Sequence, residues 1–314
     1  KRLSAIMAKL AKLYSLGDQV LVSGGNFLTI AICAHALPLS EQGKFTYVFA
    51  SYMGLLLLNV AGIFQGAAVR APSQDGFYRV HLSRLQFLQA VTLSTLVGAA
   101  WMYAGEGLGW HPSQPELLLL VLFLLIQQFA DFDRRSAYVF SGVKRALVSS
   151  ALVYPGRLMA LVLASPDTVI EVLEVLIFSA AIPAIFSIYT ACKITASENG
   201  AVRQAAREHL LYSRPFIASA FFGWLWAYLP IFMLGTLHGK EQAALLASIR
   251  GISNIANVLM EQLETKVVAD WARLRHLNQT SSMERSAVQL RKLGGILWVS
   301  GMLLFAGLGQ EIVT

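Results

Sequence analysis

The side chains best equipped for chemistry in this chain are cations and amides set inside long apolar runs. Arg250, Asn254, Asn257 and Glu261 recur at i, i+4, i+7 and i+11, which puts them on one face of a helix. Arg157 lies in another apolar run, directly after Pro155 and Gly156, a pair able to open a helix and free carbonyls. A guanidinium is a planar fork of N–H donors that matches phosphate oxygens. Placing one near the middle of a bilayer costs at least ~2.5–3.5 kcal/mol on insertion scales, so it needs water, a carboxylate, carbonyls or an anionic ligand beside it. Two readings follow. The arginines contact an anionic substrate in a cavity, or they are structural residues paired with acids or carbonyls.

Other polar groups are open to the same double reading. Gln19, Ser23, Asn26 and Cys33 form a polar stripe with Asp18 at its inner end. Asn26 either hydrogen-bonds a sugar or joins two helices. Asp18 and Glu261 are the candidate acids for H⁺ or Na⁺ coupling. Asp18 is otherwise a carboxylate near a helix N-terminus, favoured by the helix dipole, and Glu261 is otherwise interfacial. Trp224 and Tyr228 share a face at i, i+4, away from the interfaces where aromatic belts sit. They can stack on sugar rings, line a polyprenyl groove or pack against lipid. No phosphate-cradling glycine loop, metal-ligand cluster or nucleophile with its base is present in the sequence, so neither an enzyme nor a metal site is expected.

These residues have to be positioned by membrane helices. A hydrocarbon core about 30 Å thick needs roughly 20 apolar residues at 1.5 Å each. Nine such runs are expected, at 16–36, 45–66, 85–104, 116–133, 146–165, 172–192, 212–235, 241–263 and 288–308. The loops between them alternate in charge. Of 25 Lys and Arg residues, 21 fall before the first run or in the even-numbered loops, and only Lys44 and Lys240 fall on the other side. Short cytoplasmic loops retain Lys and Arg, so the N-terminus is expected inside.

Composition excludes an ordinary soluble globule: mean hydropathy is +0.57 and charged residues make up 14%. The formal net charge of +7 is spread over separate loops, leaving no compact basic face for nucleic acid. Cys33 and Cys192 support no disulfide framework. A short internal echo joins Glu41-Gln42, which opens the second run, to Glu241-Gln242, which opens the eighth. Six runs separate them, the spacing of two parallel six-helix bundles. On that reading 1–205 is the first bundle, 206–314 begins the second, and the second continues beyond the given residues. The alternative is a nine-span protein.

The stretch Gly17 to Phe27, with Asp18, Gln19, Ser23 and Asn26, followed by Ala34–Leu37 and Glu41–Gly43, resembles the start of Wzx-type polysaccharide flippases of the MOP superfamily. That superfamily also contains MATE exporters and MurJ lipid II flippases. His35 and Gln42 stand where family members often carry Arg and Phe. The segment Gln128 to Tyr138, with Arg134-Arg135, looks like the family's double-arginine segment, and Ala243–Val268 is similar to its eighth span. The resemblance implies two six-helix bundles, export of a lipid-linked oligosaccharide, and cationic residues in a central cavity.

The expected protein is therefore an all-α polytopic protein of a bacterial inner membrane. It would move an anionic undecaprenyl-pyrophosphate-linked oligosaccharide by alternating access, without cofactor beyond a possible H⁺ or Na⁺, beside other polysaccharide assembly proteins. Arg157, Arg250, Asn254, Asn257, Asn26 and Trp224 would form its cavity. A MATE-like cation-coupled efflux transporter would instead require essential intramembrane acids. A membrane glycosyltransferase would require a large outer loop.

Overall fold

A computed structural model describes residues 2–70, 76–192 and 199–250, with isolated helical positions between 284 and 299. The described residues are helical apart from short turns, and no strand occurs among them. The helices are α1 (Arg2–Ala36), α2 (Leu39–Asn59), α3 (Gln65–Arg70), α4 (Gly76–Ala104), α5 (Gln114–Phe140), α6 (Val143–Ala164), α7 (Val169–Cys192) and α8 (Asn199–His238). A π-helical turn, Val60–Phe64, joins α2 to α3 without a break in the rod.

Seven of the resulting rods are long and apolar enough to cross a bilayer: Leu13–Ala36, Leu39–Ala67, Leu82–Ala104, Gln114–Phe140, Val143–Ala164, Val169–Cys192 and His209–His238. They coincide with the first seven expected runs. The chain is an all-α, multi-pass membrane protein. The eighth run starts where expected, with helix from 240 to 250, and the rest of that run lies outside the described residues, as does nearly all of the ninth.

Local chemistry sets the reversals. Pro38 precedes α2 and contributes no donor. Ser113 and Glu116 form a capping box at the start of α5, with the Ser113 N–H donating to Glu116 Oε2 at 2.7 Å. Gly142 (φ +95°) and Gly239 (φ +93°) take backbone angles that a side chain would strain, at the α5–α6 and α8–240 turns.

The fourth rod departs from expectation. Its charges do not end it at 133. Helix continues to Phe140 because Asp131 pairs with Arg134 (3.0 Å) and Arg135 (2.7 Å), one turn on, so the charges are neutralised in place. Pro155 likewise leaves α6 unbroken, so it does not open the helix as its sequence context predicts.

The chain forms two compact units, Lys1–Ser248 and Ile249–Thr314. In the first, α2 is the central rod: 67% of the most apolar stretch of its span is buried, against 17% for that of α1 and 11% for that of α8. Lipid tails give helices no hydrophobic reason to associate, so close approach over small residues replaces it. Gly25 of α1 lies under the Tyr154 ring of α6, Gly54 of α2 lies under the Trp224 indole, and Gly43 lies against the Lys240 carbonyl. A large apolar core built around Tyr47, Tyr52, Phe123, Leu124, Leu161 and Leu173 fills the space between the rods.

Candidate functional site

The polar residues of four rods converge inside the first unit. Asp18, in the middle of α1, is fully buried and accepts three bonds: from Arg134 Nη1 (3.1 Å) and Tyr138 Oη (2.5 Å) of α5, and from Ser150 Oγ (2.5 Å) of α6. The expectation that Asp18 caps a helix N-terminus is thereby corrected, because α1 begins at Arg2 and carries Asp18 well inside the rod. The carboxylate is held by side chains of other helices.

Arg134 is the hub. It bonds Asp18 on α1 and Asp131 on its own helix, and it is 7% exposed. Arg145 of α6 reaches Asp133 at 2.9 Å and lies over the Phe186 ring of α7 at 4.4 Å. Arg134, Arg135 and Arg145 are thus not loop cations, as their positions after span four predict. Three carboxylates (Asp18, Asp131, Asp133) face three guanidiniums in this network.

Arg157 is the fourth guanidinium and lies outside that balance. It is 4% exposed, about 21 Å along α6 from Val143 at 1.5 Å per residue. Its acceptors are neutral: Nη2 donates to Gln127 Oε1 (2.8 Å) and Nε to Ser179 Oγ (3.3 Å), while the Tyr154 ring lies 5.0 Å from the guanidinium carbon. Gln127 is itself fixed by donating to the Leu176 carbonyl at 2.8 Å. An arginine carries five N–H groups, so only two have oxygen acceptors among the described residues. Arg157 forms no ion pair among them.

A cavity of about 20 Å³ opens beside it, lined by Tyr52, Gln127, Asp131, Arg134, Ser150 and Arg157 among others. That volume holds about one water. Tyr52 brings α2 into the same wall, so the cavity joins the central rod to α5 and α6.

The other sequence-derived candidates are placed differently. Asn26 is half-buried beside Gly25 on α1 and makes no hydrogen bond among the described residues. Trp224 of α8 donates its indole N–H to the Ala50 carbonyl (2.9 Å) and covers Gly54, so it packs α8 on α2. Arg250 is half-buried, helical and engaged by neighbouring groups. Asn254, Asn257 and Glu261 lie outside the described residues.

Two residues of the site escape a reading by runs of hydropathy: Asp131 and Asp133. The available signal was charge spacing. Asp131 precedes Arg134 and Arg135 by three and four residues, the pattern that keeps a helix going. Asp131 lines the same cavity as Arg157, so that cavity holds an acid as well as guanidiniums. No metal-binding group of His, Cys, Asp or Glu occurs among the described residues.

Compared with protein-family models, curated proteins and solved structures, the chain matches none. The chemistry of the site therefore rests on its own geometry: an internally balanced ion-pair network, and beside it one surplus, donor-rich cation at a small polar cavity.

Proposed function

We propose that the protein is a Wzx-like flippase that moves an anionic polyprenyl-pyrophosphate-linked oligosaccharide across a bacterial inner membrane by alternating access. The observation that carries this reading is Arg157, a buried guanidinium with neutral partners and unused donors at a polar cavity. A buried cation of this kind is stabilised by an anion, and a planar fork favours phosphate oxygens. The cavity of about 20 Å³ is too small for a pyrophosphate, so the headgroup would enter a wider state of the bundle, with the lipid tail remaining in the bilayer.

A second reading has its own support. Asp131 lines the same cavity and Asp18 lies one helix away in the same network, so a cation-coupled exporter of the MATE kind has carboxylates to work with. Both are held by Arg134, so neither is free to capture a drug cation directly while that pairing lasts. In either reading the site transports and makes no covalent bond.

The deciding experiment is ligand binding by the purified chain in lipid nanodiscs, using a polyprenyl-pyrophosphate oligosaccharide, a neutral polyprenol glycoside and a cationic dye. The flippase reading expects selective binding of the anionic lipid, weakened at least ~10-fold (about 1.4 kcal/mol) in Arg157→Met. Equal binding by Arg157→Met, or preference for the dye, overturns it.

A further inference from the structure

The seam between α2 and α8 contains a second polar constellation that the anion site does not use. α2 is interrupted by its π turn, Val60–Phe64, an arrangement that displaces carbonyls from the regular ladder and often marks a functional site in a helix. The Gly62 carbonyl within that turn lies 2.9 Å from His209 Nε2 of α8, and His209 is 2% exposed. With its proton on Nε2, the imidazole donates to that carbonyl across the seam.

The contact requires glycine. A Cβ on Gly66 would lie 2.7 Å from His209 Cε1 and 2.9 Å from Ser213 Oγ. Closure here also leaves a polar atom unmet. Ser213 Oγ, one turn along α8 from His209, is fully buried without a partner. Water would satisfy it on opening. The packed seam therefore combines the His209–Gly62 bond with a buried hydroxyl that favours release, which is the balance a two-state contact needs.

We infer that His209 and the π turn form a latch that holds α8 against α2 on the side of the membrane where the chain's N-terminus lies, and that the latch releases when that end opens. The sidedness follows from the topology: α2 returns to that side and α8 leaves it. The middle and outer parts of the seam are built differently, from Trp224 on Ala50 and from Tyr47 stacked on Phe232 (5.7 Å between centroids). The transport role of the latch rests on the alternating-access reading above, but its existence does not.

The test is the rate of cysteine labelling in sealed vesicles by a membrane-impermeant maleimide, applied from the N-terminal side. The background is Cys33→Ala with Cys192→Ala. One reporter is Ser213→Cys, at the latch, and the other is Ala50→Cys, in the middle part of the same seam. His209→Leu, which fills space without donating, is expected to raise labelling at 213 at least ~10-fold and leave 50 unlabelled. His209→Gln, whose amide can donate, is expected to restore the slow rate. Gly66→Ala, with His209 intact, is expected to raise labelling at 213 by wedging the seam. Unchanged labelling at 213 in both His209→Leu and Gly66→Ala overturns the latch, and so does equal exposure of 50 and 213. Increased labelling at 213 in a chain that binds no anionic lipid would leave the latch standing and remove the flippase reading.

Discussion

Asp18→Asn isolates the charge of the buried network from its shape. The asparagine can keep its carbonyl oxygen toward Arg134 and Tyr138, and its amide can donate to Ser150, whose hydroxyl can rotate to accept. All three contacts then survive and only the negative charge is lost. Arg134 is left sharing Asp131 with Arg135, in a site where the Asp18 and Arg134 side chains are 0% and 8% exposed. Breaking a buried pair costs about 3–5 kcal/mol. The remaining Asp131 contact puts the expectation at the lower end, about 3 kcal/mol. At roughly 2–4 °C per kcal/mol for a chain of this order of size, the thermal midpoint in detergent should fall by about 6–12 °C. Arg134→Met alone should be similarly damaging, because it strands Asp18 and leaves Asp131 with Arg135 as its one cation among the described residues. Combining it with Asp18→Asn should cost less than the sum, by about 1–3 kcal/mol. A loss below about 1 kcal/mol for Asp18→Asn is the behaviour of an exposed pair. That result, or strict additivity in the double variant, would refute the claim that this pair holds α1 to α5.

Three further outcomes are expected. Trp224→Phe should lose about 1 kcal/mol of stability through its bond to Ala50 while binding of anionic lipid is unchanged, and the reverse pattern in the binding and unfolding assays would make Trp224 a sugar platform. Gly25→Ala forces a methyl into the Tyr154 ring and should destabilise the α1–α6 contact by about 1–3 kcal/mol, read by thermal unfolding. Arg157→Lys keeps the charge but not the fork, so anion binding should persist at reduced affinity, whereas Arg157→Met should abolish the preference for the anion. Equal affinity in the lysine variant would show that the charge alone matters.

Much of this protein was legible from the order of its residues. Class and span positions follow from hydropathy because backbone polar groups in lipid must be satisfied within each helix, so a run of about 20 apolar residues has few alternatives. Seven spans fall where the runs predict them. Arg157 was identifiable as exceptional for the same reason, since a guanidinium in such a run is expensive wherever it points.

What tertiary structure decided is who meets whom. Asp18 and Ser150 are 132 residues apart and Asp18 and Arg134 are 116 apart, and no local pattern announces those contacts. Arg134, Arg135 and Arg145 read as loop cations until Asp18, Asp131 and Asp133 are placed around them. Trp224 reads as a sugar platform, a groove lining or a packing residue alike until Ala50 takes its N–H. The His209–Gly62 bond needs both a π turn and a glycine-lined seam, neither of which leaves a hydropathy signal. Hydropathy reports the solvent a helix requires. Partner choice depends on the rotation and register of each rod, and those are set only when all the rods pack.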